Sequence, residues 1–272
     1  MLPDADFEFI RALVHRESGI ALTPDKQYLV TSRLAPLMKK HDIPNIRTLV
    51  QQLRAKSNPT ITREIIDLMT TNESWFFRDH WPYECLREVV LPDLSVRRSS
   101  QRNLDIWSAA CSSGQEPYSI AMVVREEATS VGGWNVKITG TDISPTMLER
   151  CKHGKFTRTE MTRGLTAAQK ARFFTQVGTD SQAREELRNM LDLKLLNLTK
   201  AWPRLPQFDV IFIRNVLIYF DLPTKQDILR RVERLLNPGG YLFLGSGETM
   251  VDIVTKLKPV SYKSNSFYQL PG

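Results

Sequence analysis

Cysteine is scarce in this chain and histidine hardly less so. There are three cysteines in 272 residues, Cys85, Cys111 and Cys151, and no Cys-x-x-Cys spacing. An odd count without that spacing argues against a disulfide framework and against a thiolate zinc site. The four histidines, His15, His41, His80 and His153, are scattered without ligand spacing, and each reads as a surface or packing residue. Long apolar runs are missing too. The longest, FDVIFIRNVLIYF, is interrupted by Arg214 and Asn215 and is too short and too polar to span a bilayer. The stretch MLPDADFEFIRALVHRESG carries acids where a secretory leader carries bases. The expected location is the cytoplasm. No internal repeat or low-complexity segment is evident.

What remains is an ordinary globular composition, 42% apolar and 25% charged, with a surplus of positive charge: net +7 and a pI near 9.4. Such a balance favours an acidic partner, whether nucleic acid, anionic lipid or acidic protein. The surplus is concentrated at 150–172, where Arg150, Lys152, Lys155, Arg158, Arg163, Lys170 and Arg172 face the single acid Glu160.

Apolar spacing in residues 1–70 predicts a small helical domain. Asp4 or Asp6 caps a first helix that Gly19 ends, and Thr23-Pro24 opens a second, which Pro36 should kink or shorten. Asn45 opens a third, and Thr60 or Thr62 a fourth. On the second helix Lys26, Arg33 and Lys40 recur every seven residues, which is either a solvated flank or a docking stripe for an acidic helical partner.

After residue 100 the pattern alternates. LDIWSAA, WNVKITGTD, FDVIFIRNV and YLFLG read as strands, separated by helical stretches EPYSIAMVVREEA, ISPTMLERCKHG and PTKQDILRRVERLL, with NPGG as a turn and SFYQL as a final strand. This is the signature of an α/β fold with a doubly wound, mostly parallel sheet. Residues 155–195 break the rhythm and read as a small inserted subdomain with short strands.

In such sheets ligands bind beyond the carboxyl ends of the strands. After the first strand comes ACSSGQEP, which is not Gly-x-Gly-x-x-Gly, so a pyrophosphate cradle is disfavoured. Glu116 would repel a phosphate and suit a ligand bearing positive charge. Asp142, ending the second strand in TGTD, either accepts ribose hydroxyls or caps the next helix. One acid for a ribose, another for a cation and no phosphate cradle describe S-adenosylmethionine better than NAD. The stretch TTNESWFFRD (70–79) mixes three aromatics with polar groups, as a pocket wall does, or as a buried junction between domains does.

These segments, with TDIS, the Asn197-Leu198 pair, FDVIFIRNVLIYFD and LNPGGYLFLGSGE, lie in the order found in the CheR family of chemotaxis-receptor protein-glutamate O-methyltransferases, which the chain resembles over about residues 60–260. The resemblance implies an N-terminal helical domain (1–70), a Rossmann-like class I methyltransferase domain (71–272) and an inserted β-subdomain at about 155–195. It implies methyl transfer from S-adenosylmethionine, with S-adenosylhomocysteine as product, to glutamate side chains of chemoreceptors. By motif position it assigns the cofactor to Asn72, Ser74, Arg78, Glu116, Asp142, Asn197, Leu198, Arg214 and Asn215, and places Arg78 and Tyr219 beside the reacting methyl. In this picture the linker's aromatics exclude water above the cofactor. The partners implied are the acidic helical bundles of chemoreceptor cytoplasmic domains and, as in some relatives, a receptor C-terminal peptide added to the insertion as an edge strand. Two departures stand out: Ser74 where threonine is common, which keeps the hydroxyl, and Gln115 where an acid is common. A nucleic-acid methyltransferase is the first alternative, but IRNVLIYF replaces the Asn/Asp-Pro-Pro-Tyr/Phe of amino-directed enzymes. The second is a non-enzymatic signalling module on the same fold.

Overall fold

The computed structural model describes residues 4–127, 131–251 and 253–272. Four helices make up the first seventy residues: α1 (Asp4–Ser18), α2 (Gln27–Lys40), α3 (Ile46–Ala55) and α4 (Pro59–Met69). Gly19 ends α1 at a φ of 75°, and its N–H returns to the His15 carbonyl at 2.7 Å. Asn45 caps α3, accepting from the Thr48 N–H at 2.9 Å. Helix α4 begins earlier than Thr60 or Thr62. Asn58 is its cap, accepting from the Ile61 N–H at 3.1 Å, with Pro59 in the first turn. Asparagine followed by proline supplies both the acceptor and the preset φ, and that pairing outweighs either threonine. Pro36 does not shorten α2, which runs on to Lys40. Phe7, Ile10, Val14, Val30, Leu34, Leu49 and Ile65 close the core of this bundle.

The basic stripe on α2 is largely engaged within the chain. Arg33 donates to the carbonyls of Met69 and Thr70 at 2.9 and 3.1 Å, Lys40 pairs with Glu64 at 2.9 Å and Lys26 with Asp25 at 3.2 Å. The Arg33 bonds fix the end of α4, where the linker to the second domain begins.

That linker leads into α5 (Trp81–Cys85) and α6 (Leu91–Arg97), joined by a wider helical turn, Leu86–Val90. The main sheet has seven strands in the order β6-β2-β1-β7-β8-β10-β9. Strands β1 (Asn103–Ala109), β2 (Asn135–Asp142), β6 (Leu191–Leu195), β7 (Phe208–Ile213) and β8 (Leu236–Leu244) are parallel. Strand β10 (Asn265–Gln269) runs antiparallel to both β8 and β9 (Lys258–Tyr262). The NPGG segment falls within β8, where the pairing with β7 shifts register between Phe208 and Val210.

The insertion is smaller than residues 155–195. Its antiparallel sheet consists of β3 (Lys155–Phe156), β5 (Asp180–Ala183) and β4 (Phe174–Val177) and ends at Ala183. Leu191–Leu195 instead forms β6, the edge of the main sheet beside β2. Leu191 and Leu193 alternate with charged residues and pack against the large core, which pulls this segment back to the sheet.

Strand β7 shows why the sheet is buried on both faces. Val210 and Phe212 face one core, where the rings of Tyr83, Phe212, Phe243 and Phe267 stack in series at 6.2, 4.7 and 5.4 Å. Ile211 and Ile213 face the other, with Trp107, Ile228, Leu229 and Val232. No helix among the described residues is long and apolar enough to cross a membrane.

At the amino end of β7, Asp209 is buried and ties three segments together. It accepts from the Asp105 N–H at 3.0 Å and from Asn237 at 2.8 Å, and it pairs with Arg98 at 2.5 Å. Removing a partner from a buried ion pair strands the other charge, at a cost of about 3–5 kcal/mol. Asp209→Ala should lower the unfolding free energy by about that amount in chemical denaturation, whereas Asp209→Asn should lose less.

Candidate functional site

Beyond the carboxyl ends of β1, β2 and β7 lies a cavity of about 1110 Å³, its open mouth included. All ten residues assigned from the resemblance line it: Asn72, Ser74, Arg78, Glu116, Asp142, Asn197, Leu198, Arg214, Asn215 and Tyr219. Its walls come from three sources: the linker 70–78, the loops after the strands, and Ser18 and Ile20 at the end of α1. The helical domain is held against this end of the sheet. Ser144 and Thr146 both donate to Asp67 of α4, and Asn197 donates to the Glu17 carbonyl at 2.6 Å.

The backbone bends sharply around the cavity. Ala110 and Ser112 follow β1 at φ 56° and 49°, Asn215 follows β7 at 58°, and Phe77 and Asp79 in the linker sit at 51° and 68°. Left-handed conformations of non-glycine residues carry strain, and strain gathers where function requires it. Gly114, at φ 104°, opens helix α7 (Gln115–Glu126); a Cβ there would fall 2.7 Å from the Cys151 sulfur, so only glycine fits.

Arg214 is the most heavily engaged group. Its guanidinium donates to Glu116 Oε2 at 2.9 Å, to Asp79 Oδ2 at 2.8 Å, to the Arg78 carbonyl at 2.8 Å and to the Tyr83 hydroxyl at 3.3 Å. Its side chain is 1% exposed. Arg214 lines the cavity with its charge already met within the chain, and so holds the site together. Glu116 is likewise not a free anion. Its other oxygen accepts from Ser108 at 2.8 Å. Burial pushes the Glu116 carboxyl above its usual range, opposed first by the Arg214 charge and then by the Ser108 hydroxyl.

Asp142 is buried with one N–H bound to each oxygen, from Ser112 at 2.8 Å and Ser144 at 2.9 Å. Burial raises its carboxyl, and these backbone bonds oppose the rise. Each oxygen keeps a lone pair for a hydroxyl. The helix Pro145–His153 is capped by Ser144, accepting from the Met147 N–H at 3.0 Å, so Asp142 is not that cap. The Asn197 amide is committed to its own turn, accepting from the Thr199 N–H at 2.9 Å as well as donating to Glu17. It lines the cavity but acts as a brace.

The linker resolves into two sets of side chains. Asn72, Ser74 and Arg78 line the cavity. Phe76 and Phe77 do not; they are buried pegs. Phe76 packs on Phe156 and Phe174 of the insertion at 4.8 and 5.5 Å, and Phe77 on Tyr83 at 5.1 Å. The aromatics thus fasten the linker, and none of the three lines the cavity. Two hydrogen bonds complete the fastening: Ser119 accepts from the Phe77 N–H at 2.9 Å, and Ser112 donates to the Asn72 carbonyl at 3.1 Å. Arg78 forms no ion pair with Asp79 or Glu73, whose carboxylates go to Arg214 and Arg163.

Sequence reasoning missed Glu248. Its carboxylate accepts N–H groups from Asn215, Leu217 and Gly245 at 2.8, 2.7 and 2.7 Å and so shapes the loop that presents Asn215 and Tyr219. The signal was available: an acid four residues past the last long parallel strand, at the end of the sheet where ligands bind.

Burial of Glu116 against one main counter-charge yields a pH prediction. In Arg214→Met the Glu116 carboxyl should rise further. A carboxyl whose folded value exceeds its unfolded value favours the folded state at low pH and penalises it increasingly as pH rises through the folded value. The melting-temperature deficit of Arg214→Met relative to wild type should therefore widen between about pH 5 and pH 8, and Glu116→Gln in the same background should remove that widening.

The donor set agrees with a nucleoside ligand lacking phosphates: Glu116 in the first turn of α7, Asp142 buried at the end of β2, no glycine-rich cradle, and an Arg214 charge already compensated. Residues 72–265 match the family described as CheR methyltransferase, SAM binding domain, and residues 5–70 its all-alpha domain. The chain is 39% identical to the chemotaxis protein methyltransferase Cher2 of Pseudomonas putida, covering 97% of both chains. It is 40% identical to chemotaxis protein methyltransferase 1 of Pseudomonas aeruginosa, covering 98% of both. With the chemotaxis protein methyltransferase of Escherichia coli the identity is 36%, over 91% of this chain and 85% of that one. The chain belongs to the CheR family of S-adenosylmethionine-dependent chemotaxis methyltransferases.

Proposed function

We propose that the cavity seats S-adenosylmethionine beside an incoming receptor glutamate, and that Arg78 receives that glutamate. One observation carries this reading. The cavity lining holds three acids, Glu73, Glu116 and Asp142, and two cations, Arg78 and Arg214. Arg214 is spent on Glu116 and Asp79, and Arg78 is left as the lining cation not paired with a described carboxylate.

Asp142 would hold the ribose hydroxyls, and Asn72, Ser74 and the backbone around Ala110–Ser112 would border the amino-acid arm. When bound, S-adenosylmethionine supplies an electrophilic methyl on a positively charged sulfur. The acceptor needs no general base, because a glutamate with a reference pKa of about 4.3 is already ionised at neutral pH. The danger is burial, which raises a carboxyl and weakens it as a nucleophile. Arg78 opposes that rise and orients one carboxylate oxygen. Tyr219, which also lines the cavity, would offer a hydroxyl to the same acceptor. The main contribution is then positioning for in-line attack.

The partner reading is chemoreceptor cytoplasmic bundles, in the cytoplasm. Arg150 and Arg163 of the basic segment 150–172 pair with Glu160 and Glu73, so steering falls on its remaining cations, Lys152 and Arg158 among them. Strand β4 lies at the edge of the small sheet, which suits a receptor C-terminal peptide added as a further strand.

Methyl label transferred to a receptor fragment should be released by mild base, as an ester is; base-stable label, or label on nucleic acid alone, would end the proposal. Arg78→Ala should lower kcat about 100-fold with little change in cofactor affinity, and Asp142→Asn should weaken cofactor binding about tenfold by calorimetry. Raising ionic strength from about 50 to 200 mM should lower kcat/KM severalfold; a flat profile would remove electrostatic steering.

A further inference from the structure

Trp75 has no place in the cavity lining and is half-buried, between the lining residue Ser74 and the buried peg Phe76. Its ring serves two guanidinium groups. The guanidinium carbon of Arg163 lies 3.5 Å from the ring centre and that of Arg78 lies 4.3 Å away. Arg163 belongs to the insertion, and it also pairs with Glu73 at 3.6 Å. Its approach depends on Gly164. That residue sits at φ 87°, and a Cβ there would come within 1.7 Å of the Phe76 carbonyl oxygen. Glycine alone lets the insertion's loop lie directly on the linker backbone.

Arg78 has few other restraints. Its backbone carbonyl is fixed by Arg214, but its side chain makes a single hydrogen bond, to the Glu73 carbonyl at 3.1 Å, and its Nε is buried without a partner. A long, flexible side chain held by one bond loses orientation to rotamer freedom. The indole face removes that freedom, because a planar cation over an aromatic ring is held by both its charge and its shape.

We propose that Trp75 and Arg163 are positioning residues: the stack holds Arg78 at the cavity rim and makes its orientation depend on the seating of the insertion. This rests on the reading of Arg78 as the acceptor-binding group. Movement of the Arg163-Gly164 loop would then be felt at the reacting centre without any change in the cofactor contacts.

Trp75→Leu keeps an apolar body and loses the ring; it should lower kcat about tenfold, while Trp75→Phe should recover most of the loss. Arg163→Met should lower kcat about threefold. Affinity for S-adenosylhomocysteine by calorimetry should stay at the wild-type value in all three. The Nε–Hε NMR signal of Arg78 should lose its ring-current shift in Trp75→Leu. Combined with Arg78→Ala, Trp75→Leu should add no further loss. Wild-type kcat in Trp75→Leu while Arg78→Ala is slow, or losses that add in the double variant, overturns the positioning role. Full turnover in Arg78→Ala overturns the reading of Arg78, and this role with it, whatever the NMR signal shows.

Discussion

The site is organised around one buried positive charge. A guanidinium with 1% of its side chain exposed is costly unless each face of its charge is met, and Arg214 meets that condition with Glu116, Asp79, the Arg78 carbonyl and the Tyr83 hydroxyl. These four partners come from α7, from the adjacent linker residues Arg78 and Asp79, and from α5. The ion cluster therefore fixes how the linker crosses the sheet. It also sets the orientation of Glu116, and it defines where the Arg78 backbone begins its reach towards the cavity.

The linker shows how a short segment can be both anchored and functional. Consecutive residues alternate between roles because the backbone turns sharply at Phe77, Asp79 and His80, each at positive φ. Phe76 and Phe77 are driven into two different aromatic groups, one in the insertion and one on α5. The polar residues before and after them are then left facing the cavity. The apolar burial stabilises a conformation that the polar residues alone would not adopt, and the strain at the turn is offset by that burial.

Much of this was legible in the sequence, for identifiable reasons. Alternating strands and helices gave the parallel sheet, and the Asn45 cap and Gly19 stop gave two helix boundaries. The rule that ligands sit beyond carboxyl strand ends pointed to Glu116 and Asp142. Other features depend on partners far along the chain. Nothing near Arg214 announces that Asp79 and Glu116 will consume its charge. Nothing in TTNESWFFRD tells which aromatics peg the linker, since Phe156 and Phe174 lie some eighty to a hundred residues away. The boundary of the insertion was misplaced because Leu191–Leu195 is short and half-polar, and only its pairing with β2 makes it a strand of the main sheet.

Charge balance also accounts for a neutral residue at Gln115. Its amide donates to Glu160 at 3.2 Å, and its oxygen accepts from Ser113 at 2.9 Å. Glu160 is itself shared: it pairs with Arg150 at 2.8 Å and caps the helix Arg158–Met161 through Thr157. A carboxylate at 115 would face Glu160 directly in a buried setting and would add negative charge beside Glu116. Burial already pushes the Glu116 carboxyl upward, and a second negative charge beside it would push it further. A neutral amide keeps the link between the insertion and the start of α7 without either. In the cavity lining, Glu116 is compensated by Arg214 and the buried Asp142 by backbone N–H groups. Arg78 is left as the lining cation without a described carboxylate partner, the feature on which its proposed role rests.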